Sequence, residues 1–109
     1  MVNATIRMIV PRGKRKEVLQ TIGDMLDSIR RERGCIGCNY YMDVEDENVF
    51  CLKEQWMTRE DLDNHLRSES FDVLIGAMSL LSSEPDFMIS TVQSTTGFGA
   101  IKGVRPRTA

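Results

Sequence analysis

The chain has one tryptophan and one histidine, Trp56 and His65, nine residues apart, and both sit among groups that can handle protons. Trp56 closes the run Val49-Phe50-Cys51-Leu52-Lys53-Glu54-Gln55-Trp56. Strand alternation puts it on one side with Phe50, Leu52 and Glu54. A carboxylate on such an apolar side must find water, a cation or hydrogen-bond donors, so Glu54 marks either a wet pocket or an internal polar network. His65 lies between Leu62 and Leu66 in a helical pattern. Its imidazole titrates near neutrality and suits acid-base work in a cavity, or it can brace a helix junction around Arg67 to Phe71. In the preceding apolar run, Ile36 to Met42, Asn39 and Tyr41 offer the better polar pair for a cavity, while Cys38, Tyr40 and Met42 read as packing. A bulge in that run would exchange the side of every later residue.

The three cysteines do not extend this chemistry. Cys35 and Cys38 form one C-x-x-C with no second pair or suitably spaced histidine, so no metal site is expected. Cys35 follows Gly34 at the start of a strand rather than opening a helix, which removes the usual stabilisation of a reactive thiolate. Together with Cys51 they are expected to be buried or half-buried free thiols.

The elements that must position these residues follow from periodicity. Thr5 to Val10 reads as a strand stopped by Pro11 and Gly13. From Lys14, the residues Val18, Leu19, Ile22, Met25, Leu26 and Ile29 form one helical stripe, and Gly34 supplies the positive backbone angle that ends it. Two strands follow, joined by the charged turn Asp43 to Glu47, which is too polar for a core. Thr58 can cap a helix carrying Leu62 and Leu66, and Ser68 can cap a second one through Phe71, Leu74, Ile75, Met78 and Leu81. Pro85 bars its continuation, and Phe87 to Val92 is the last strand. The order, strand-helix-strand-strand-helix-strand, predicts an α+β ferredoxin-like domain: a four-stranded antiparallel sheet with both helices on one face. The bare sheet face then predicts a homodimer packed face to face.

At 109 residues and 41% hydrophobic content, one soluble-type domain is expected. We place it at 1–95, followed by a tail at 96–109 that is basic, glycine-containing and either flexible or interface-forming. No run approaches the roughly 20 apolar residues of a membrane span, and Met1 to Thr5 lacks a secretory pattern, so the expected location is cytoplasmic. Residues 1–34 carry eight Lys/Arg against four Asp/Glu and residues 35–72 three against ten, yet the net charge is only −2. No aromatic residues interleave with the basic run Arg12 to Lys16, so nucleic acid is not an expected partner.

Gly34-Cys35-Ile36-Gly37, Glu54-Gln55-Trp56 and His65-Leu66-Arg67-Ser68-Glu69-Ser70-Phe71 resemble the antibiotic biosynthesis monooxygenase domain family over roughly Ile6 to Val92. The resemblance implies a dimeric α+β barrel. It implies chemistry without flavin or metal, in which an anionic phenol or hydroquinone passes an electron directly to oxygen inside a cavity between sheet and helices. Carried onto this sequence, Trp56, His65 and Tyr41 are the catalytic candidates, and Asn39, Phe50, Leu52, Glu54 and Phe71 the substrate-binding ones. The chain departs from the pattern at two places: Leu52 stands where antibiotic-type members have an asparagine, and Ile6 where haem-degrading members have one. The wider family also resembles haem-degrading enzymes and an isomerase of a phosphorylated sugar. A cofactor-independent monooxygenase-like oxidation of a small aromatic or quinol is the leading expectation; the alternatives are a non-catalytic dimeric small-ligand-binding or interaction protein and, behind it, a haem-degrading enzyme or isomerase.

Overall fold

The computed structural model describes residues 1–105; the last four positions, including Arg107 of the basic tail, lie outside the described residues. The elements run β1 (Val2–Ile9), α1 (Arg12–Arg30), β2 (Cys35–Met42), β3 (Val49–Trp56), α2 (Arg59–Leu66), α3 (Glu69–Met78), β4 (Asp86–Thr91) and α4 (Phe98–Val104). The four strands form one antiparallel sheet in the order β2-β3-β1-β4. That is the expected ferredoxin-like arrangement, with α1, α2 and α3 on one face. Helix α1 begins two residues earlier than its stripe suggests, because Pro11 sits at the N-cap in extended geometry and Gly13 is accommodated in the first turn.

The barrel implied by the resemblance is not present. The edge strands β2 and β4 are separated by β3 and β1 and do not pair with each other, so the sheet stays open. Closing a ring requires a continuous ladder with matched tilt and shear, and four strands are half the number that encloses a packed barrel of about eight strands.

Alternation along the strands divides the sheet cleanly. Val2, Ala4, Ile6 and Met8 of β1 and Phe50, Leu52, Glu54 and Trp56 of β3 are buried under the helices. Val18, Ile22, Met25 and Ile29 of α1 and Leu74 of α3 cover them. Ile6 and Leu52 are direct cross-strand partners. The two positions at which the resemblance implies asparagines in other members therefore meet here as an apolar pair in the sheet.

Local chemistry fixes the turns. The Asp43 carboxylate accepts from the backbone N–H groups of Glu45 and Asp46 at 2.7 and 3.1 Å, so the acidic turn shapes itself while remaining in water. Gly34 has φ +81°, and a Cβ there would run into the Asp61 side chain. Its carbonyl accepts from Met57 N at 2.8 Å, tying the end of α1 to the β3–α2 junction. Thr58 accepts from Asp61 N and Ser68 from Phe71 N, so both expected caps form. Helix α4 has no buried residue, and Phe98 and Ile101 are exposed.

Candidate functional site

The β3 alternation and the α2 cap bring Trp56, Glu54 and His65 together under the helices. Trp56 Nε1 donates to Glu54 Oε1 at 3.1 Å, and the His65 ring stacks on the indole with centroids 4.7 Å apart and planes at 27°. Relative exposures of 0% for Trp56, 1% for His65 and 2% for Glu54 place all three inside the core. His65 Nδ1 lies 3.0 Å from both oxygens of Glu32. His65 Nε2 approaches Glu54 Oε2 at 3.2 Å, a close ionic contact whose angles are not those of a directed hydrogen bond. The backbone carbonyl of His65 accepts from the Ser68 hydroxyl at 2.6 Å, which locks α2 to the start of α3. The imidazole itself is turned toward the two carboxylates.

This arrangement has a definite protonation logic. Burial alone would lower the pKa of His65, but the close approach and charge of Glu54, followed by the hydrogen bond to and charge of Glu32, outweigh it and raise the pKa above the ordinary histidine value. The directed contact with Glu32 holds one proton on Nδ1, and a second proton taken up between Nε2 and Glu54 Oε2 makes the imidazolium that the two carboxylates favour. The cluster can therefore store and return a proton on a ring that is itself shielded from water.

Apolar side chains complete the compartment. Leu52 and Phe50 are buried beside it on β3, and Phe71 of α3 meets the His65 ring edge-on at 5.6 Å. Phe71 in turn contacts the exposed Phe87 of β4 at 6.2 Å. The ladder Trp56-His65-Phe71-Phe87 thus runs from the core to the surface. Cys38 is buried beside the same cluster, its thiol pushed up to about 12 by burial and then by Glu54. Cys35 is raised by the same causes, so neither is a nucleophile. All three cysteines are free, and among the described residues no group of three metal-type ligands comes together.

Asn39 and Tyr41 lie elsewhere. They pair with Lys53 and Cys51 and face the bare side of the sheet, opposite His65 and Trp56. The cause is the irregularity between Cys35 and Gly37: both Cys35 and Cys38 face the helices, and every later residue of β2 changes side relative to the strand's start. Tyr40 therefore enters the core, stacking on Phe50 at 5.7 Å. Tyr41 instead takes the Lys53 ammonium over its ring at 5.6 Å. The bare face carries two shallow hollows of about 270 and 520 Å³ that share Arg7, Cys51 and Lys53. Another hollow, of about 350 Å³, lies at the α3–β4 turn around Ile75, Met78 and Pro85, away from the histidine.

Glu32 was not legible as a site residue. It stands in the run Arg30-Arg31-Glu32-Arg33, where an acid looks like a solvated partner of its neighbours, and its contact with His65 spans 33 residues. The one available signal is that Gly34 turns the chain back toward the β3–α2 junction directly after it.

The sequence profile of the family described as antibiotic biosynthesis monooxygenase matches residues 1–75. The chain belongs to this family. An uncharacterized Synechocystis protein is 28% identical over 72 residues, covering 66% of this chain and 49% of that protein, so the chain spans about half the length of the curated relative it matches. Among solved structures, a Deinococcus radiodurans protein has TM-score 0.84 at 16% identity, covering 90% of this chain and 98% of that one. A conserved Methanosarcina mazei protein has TM-score 0.78 at 23% identity, covering 82% and 89%. SnoaB, a cofactor-independent oxygenase from Streptomyces nogalater, has TM-score 0.74 at 16% identity, covering 86% and 94%. At these identities the likeness is one of fold. Among the described residues, no helix is long and apolar enough to cross a membrane.

Proposed function

We propose that the chain catalyses an oxygen-dependent oxidation of a small aromatic or quinol, without a bound cofactor, as a homodimer packed through its bare sheet faces. The observation that carries this reading is the buried imidazole stacked on Trp56 with a carboxylate at each ring nitrogen. Such a group accepts a phenolic proton in a dry site, and the resulting phenolate is the electron donor that dioxygen requires in chemistry of this family. Phe50, Leu52 and Phe71 supply an apolar enclosure, and Glu54 offers a polar anchor. Entry requires Phe71 to swing aside, since the compartment is filled by its own side chains. Tyr41 and Asn39, on the bare face, serve the dimer contact in this reading.

The test is oxygen uptake by metal-free protein across a panel of quinols and polyphenols. Uptake above autoxidation that is lost in His65→Ala supports the assignment. Equal uptake with and without the protein overturns it.

The buried Ile6-Leu52 pair favours a second reading, a dimeric ligand-binding protein. Neither side chain can hydrogen-bond oxygen or substrate as an amide would. Native mass spectrometry that recovers an aromatic ligand the protein never turns over would favour it. Rapid turnover of the recovered molecule would exclude it.

A further inference from the structure

Glu32 is the one member of the buried cluster that keeps contact with water: its side chain is 22% exposed, against 0% for His65 and 2% for Glu54. It projects from the turn between α1 and β2, where Glu32 N donates to the Ile29 carbonyl at 3.0 Å and Cys35 N donates to the Glu32 carbonyl at 3.1 Å. The backbone at this position is therefore fixed on both sides. Gly34, with its positive φ and its bond from Met57, holds the same turn against the start of α2. An elaborately anchored turn delivers one carboxylate to one ring nitrogen.

We propose that Glu32 is a positioning residue for His65: by accepting from Nδ1–H it holds the imidazole in the tautomer that leaves Nε2, beside Glu54 and stacked on Trp56, as the proton-exchanging atom. A carboxylate on Nδ1 is the general means of fixing which nitrogen works and of stabilising the imidazolium that forms. The geometry here has that form, since both Glu32 oxygens lie at 3.0 Å from Nδ1 while Nε2 and Glu54 Oε2 face each other without a directed hydrogen bond. A substrate hydroxyl reaching that pair meets two polar atoms with unused capacity. In the step this supports, the substrate O–H bond breaks, the proton bonds to Nε2 and the electron pair stays on the phenolate oxygen. The Nδ1 proton remains on its bond to Glu32 throughout. The phenolate's electrons reduce dioxygen, one oxygen bonds to a ring carbon and the Nε2 proton caps the other as a hydroperoxide. Loss of the proton on that carbon then breaks the O–O bond, leaving a carbonyl on the carbon and releasing the outer oxygen with both protons as water, so the imidazole ends neutral in its original tautomer.

The inference deepens the oxygenase reading, but only its kinetic arm rests on that reading. The groups around the ring are Glu54 from β3, Glu32 from the α1–β2 turn, the indole of Trp56, the Phe71 edge from α3 and, beyond Glu54, the Cys35 and Cys38 thiols with Arg30 held on the Cys38 carbonyl at 2.9 Å. Because the chain has a single histidine, nitrogen NMR of the imidazole reports this site alone. In the intact protein the neutral ring should carry its proton on Nδ1 and titrate above an ordinary histidine. Glu32→Gln keeps an acceptor but removes the charge, so the titration should move to lower pH; Glu32→Ala removes both, and the Nδ1–H preference should disappear. An unchanged tautomer in Glu32→Ala together with an unmoved titration in Glu32→Gln overturns the proposal. If Glu32→Ala does not fold, the Glu32→Gln titration decides alone.

With a turned-over quinol, Glu32→Ala should lower kcat about 100-fold with little change in KM, and Glu32→Asp should restore part of it. The acid limb of the pH profile should move to lower pH in Glu32→Gln. If the wild type oxidises no quinol, the oxygenase reading fails while the NMR result still decides the role of Glu32.

Discussion

His65 joins a contribution to stability with the proposed chemistry in one side chain. Its pKa is raised in the folded state, so the folded protein binds a proton more tightly than the unfolded chain does. The stabilisation is therefore complete below the unfolded histidine value, near 6.5, and is lost as pH rises through the higher folded value. Denaturant midpoints measured across this window should fall with rising pH, and His65→Gln should flatten the dependence. A midpoint that climbs through the same window would contradict the charge assignment. The proposed catalysis should have the opposite slope, because only the neutral ring accepts a proton. Trp56→Phe tests the neighbouring contact. It keeps a ring beneath the imidazole but leaves Glu54 Oε1 without its donor, which should cost about 1–3 kcal/mol in denaturant unfolding. The sequence made Trp56, Glu54 and His65 legible because each is a polar or singular group within an apolar pattern. It could not reveal that Glu32 reaches them, since nothing local distinguishes that acid from the solvated ones around it.

At the level of elements, the periodicities carry most of the information, and the exceptions are single backbone events. The stripe of α1, the caps at Thr58 and Ser68 and the alternation of β3 are all local signals, and the fold respects them. The side on which Tyr41 falls depends on one irregularity at the start of β2, which neither composition nor alternation announces. Two substitutions probe the joints that aim the site. Ser68→Ala removes the α3 cap and the hydroxyl bond to the His65 carbonyl, and should destabilise by about 1–2 kcal/mol. Gly34→Ala forces an L side chain into positive φ and against Asp61, and should destabilise by about 1 kcal/mol or more. In the Asp61→Ala background part of that loss should return; if the two losses simply add in thermal or denaturant unfolding, the steric contact at Asp61 is not the cause.

At the level of the whole molecule, the sheet has one covered face and one bare face, and the two have different assignments. The bare face mixes Cys51, Tyr41 and Met88 with Arg7 and Lys53, and its strands leave the sheet open rather than curled into a ring. The barrel expectation came from resemblance and had no counterpart in the chain's own periodicity, which specifies four strands and no closure. A face-to-face dimer predicts that sedimentation at micromolar concentration finds a two-fold mass, and that Met88→Glu, placed on the bare face, shifts it toward monomer without unfolding. A single monomeric species of the unaltered chain would remove the dimer. The proposed chemistry belongs to the covered face, and oxygen consumption by metal-free protein tests that assignment most directly. With a reactive quinol, uptake should exceed autoxidation, rise with pH through the His65 titration and vanish in His65→Ala, while that variant still unfolds cooperatively. Uptake that never exceeds autoxidation, or that persists unchanged in a folded His65→Ala protein, would contradict the account.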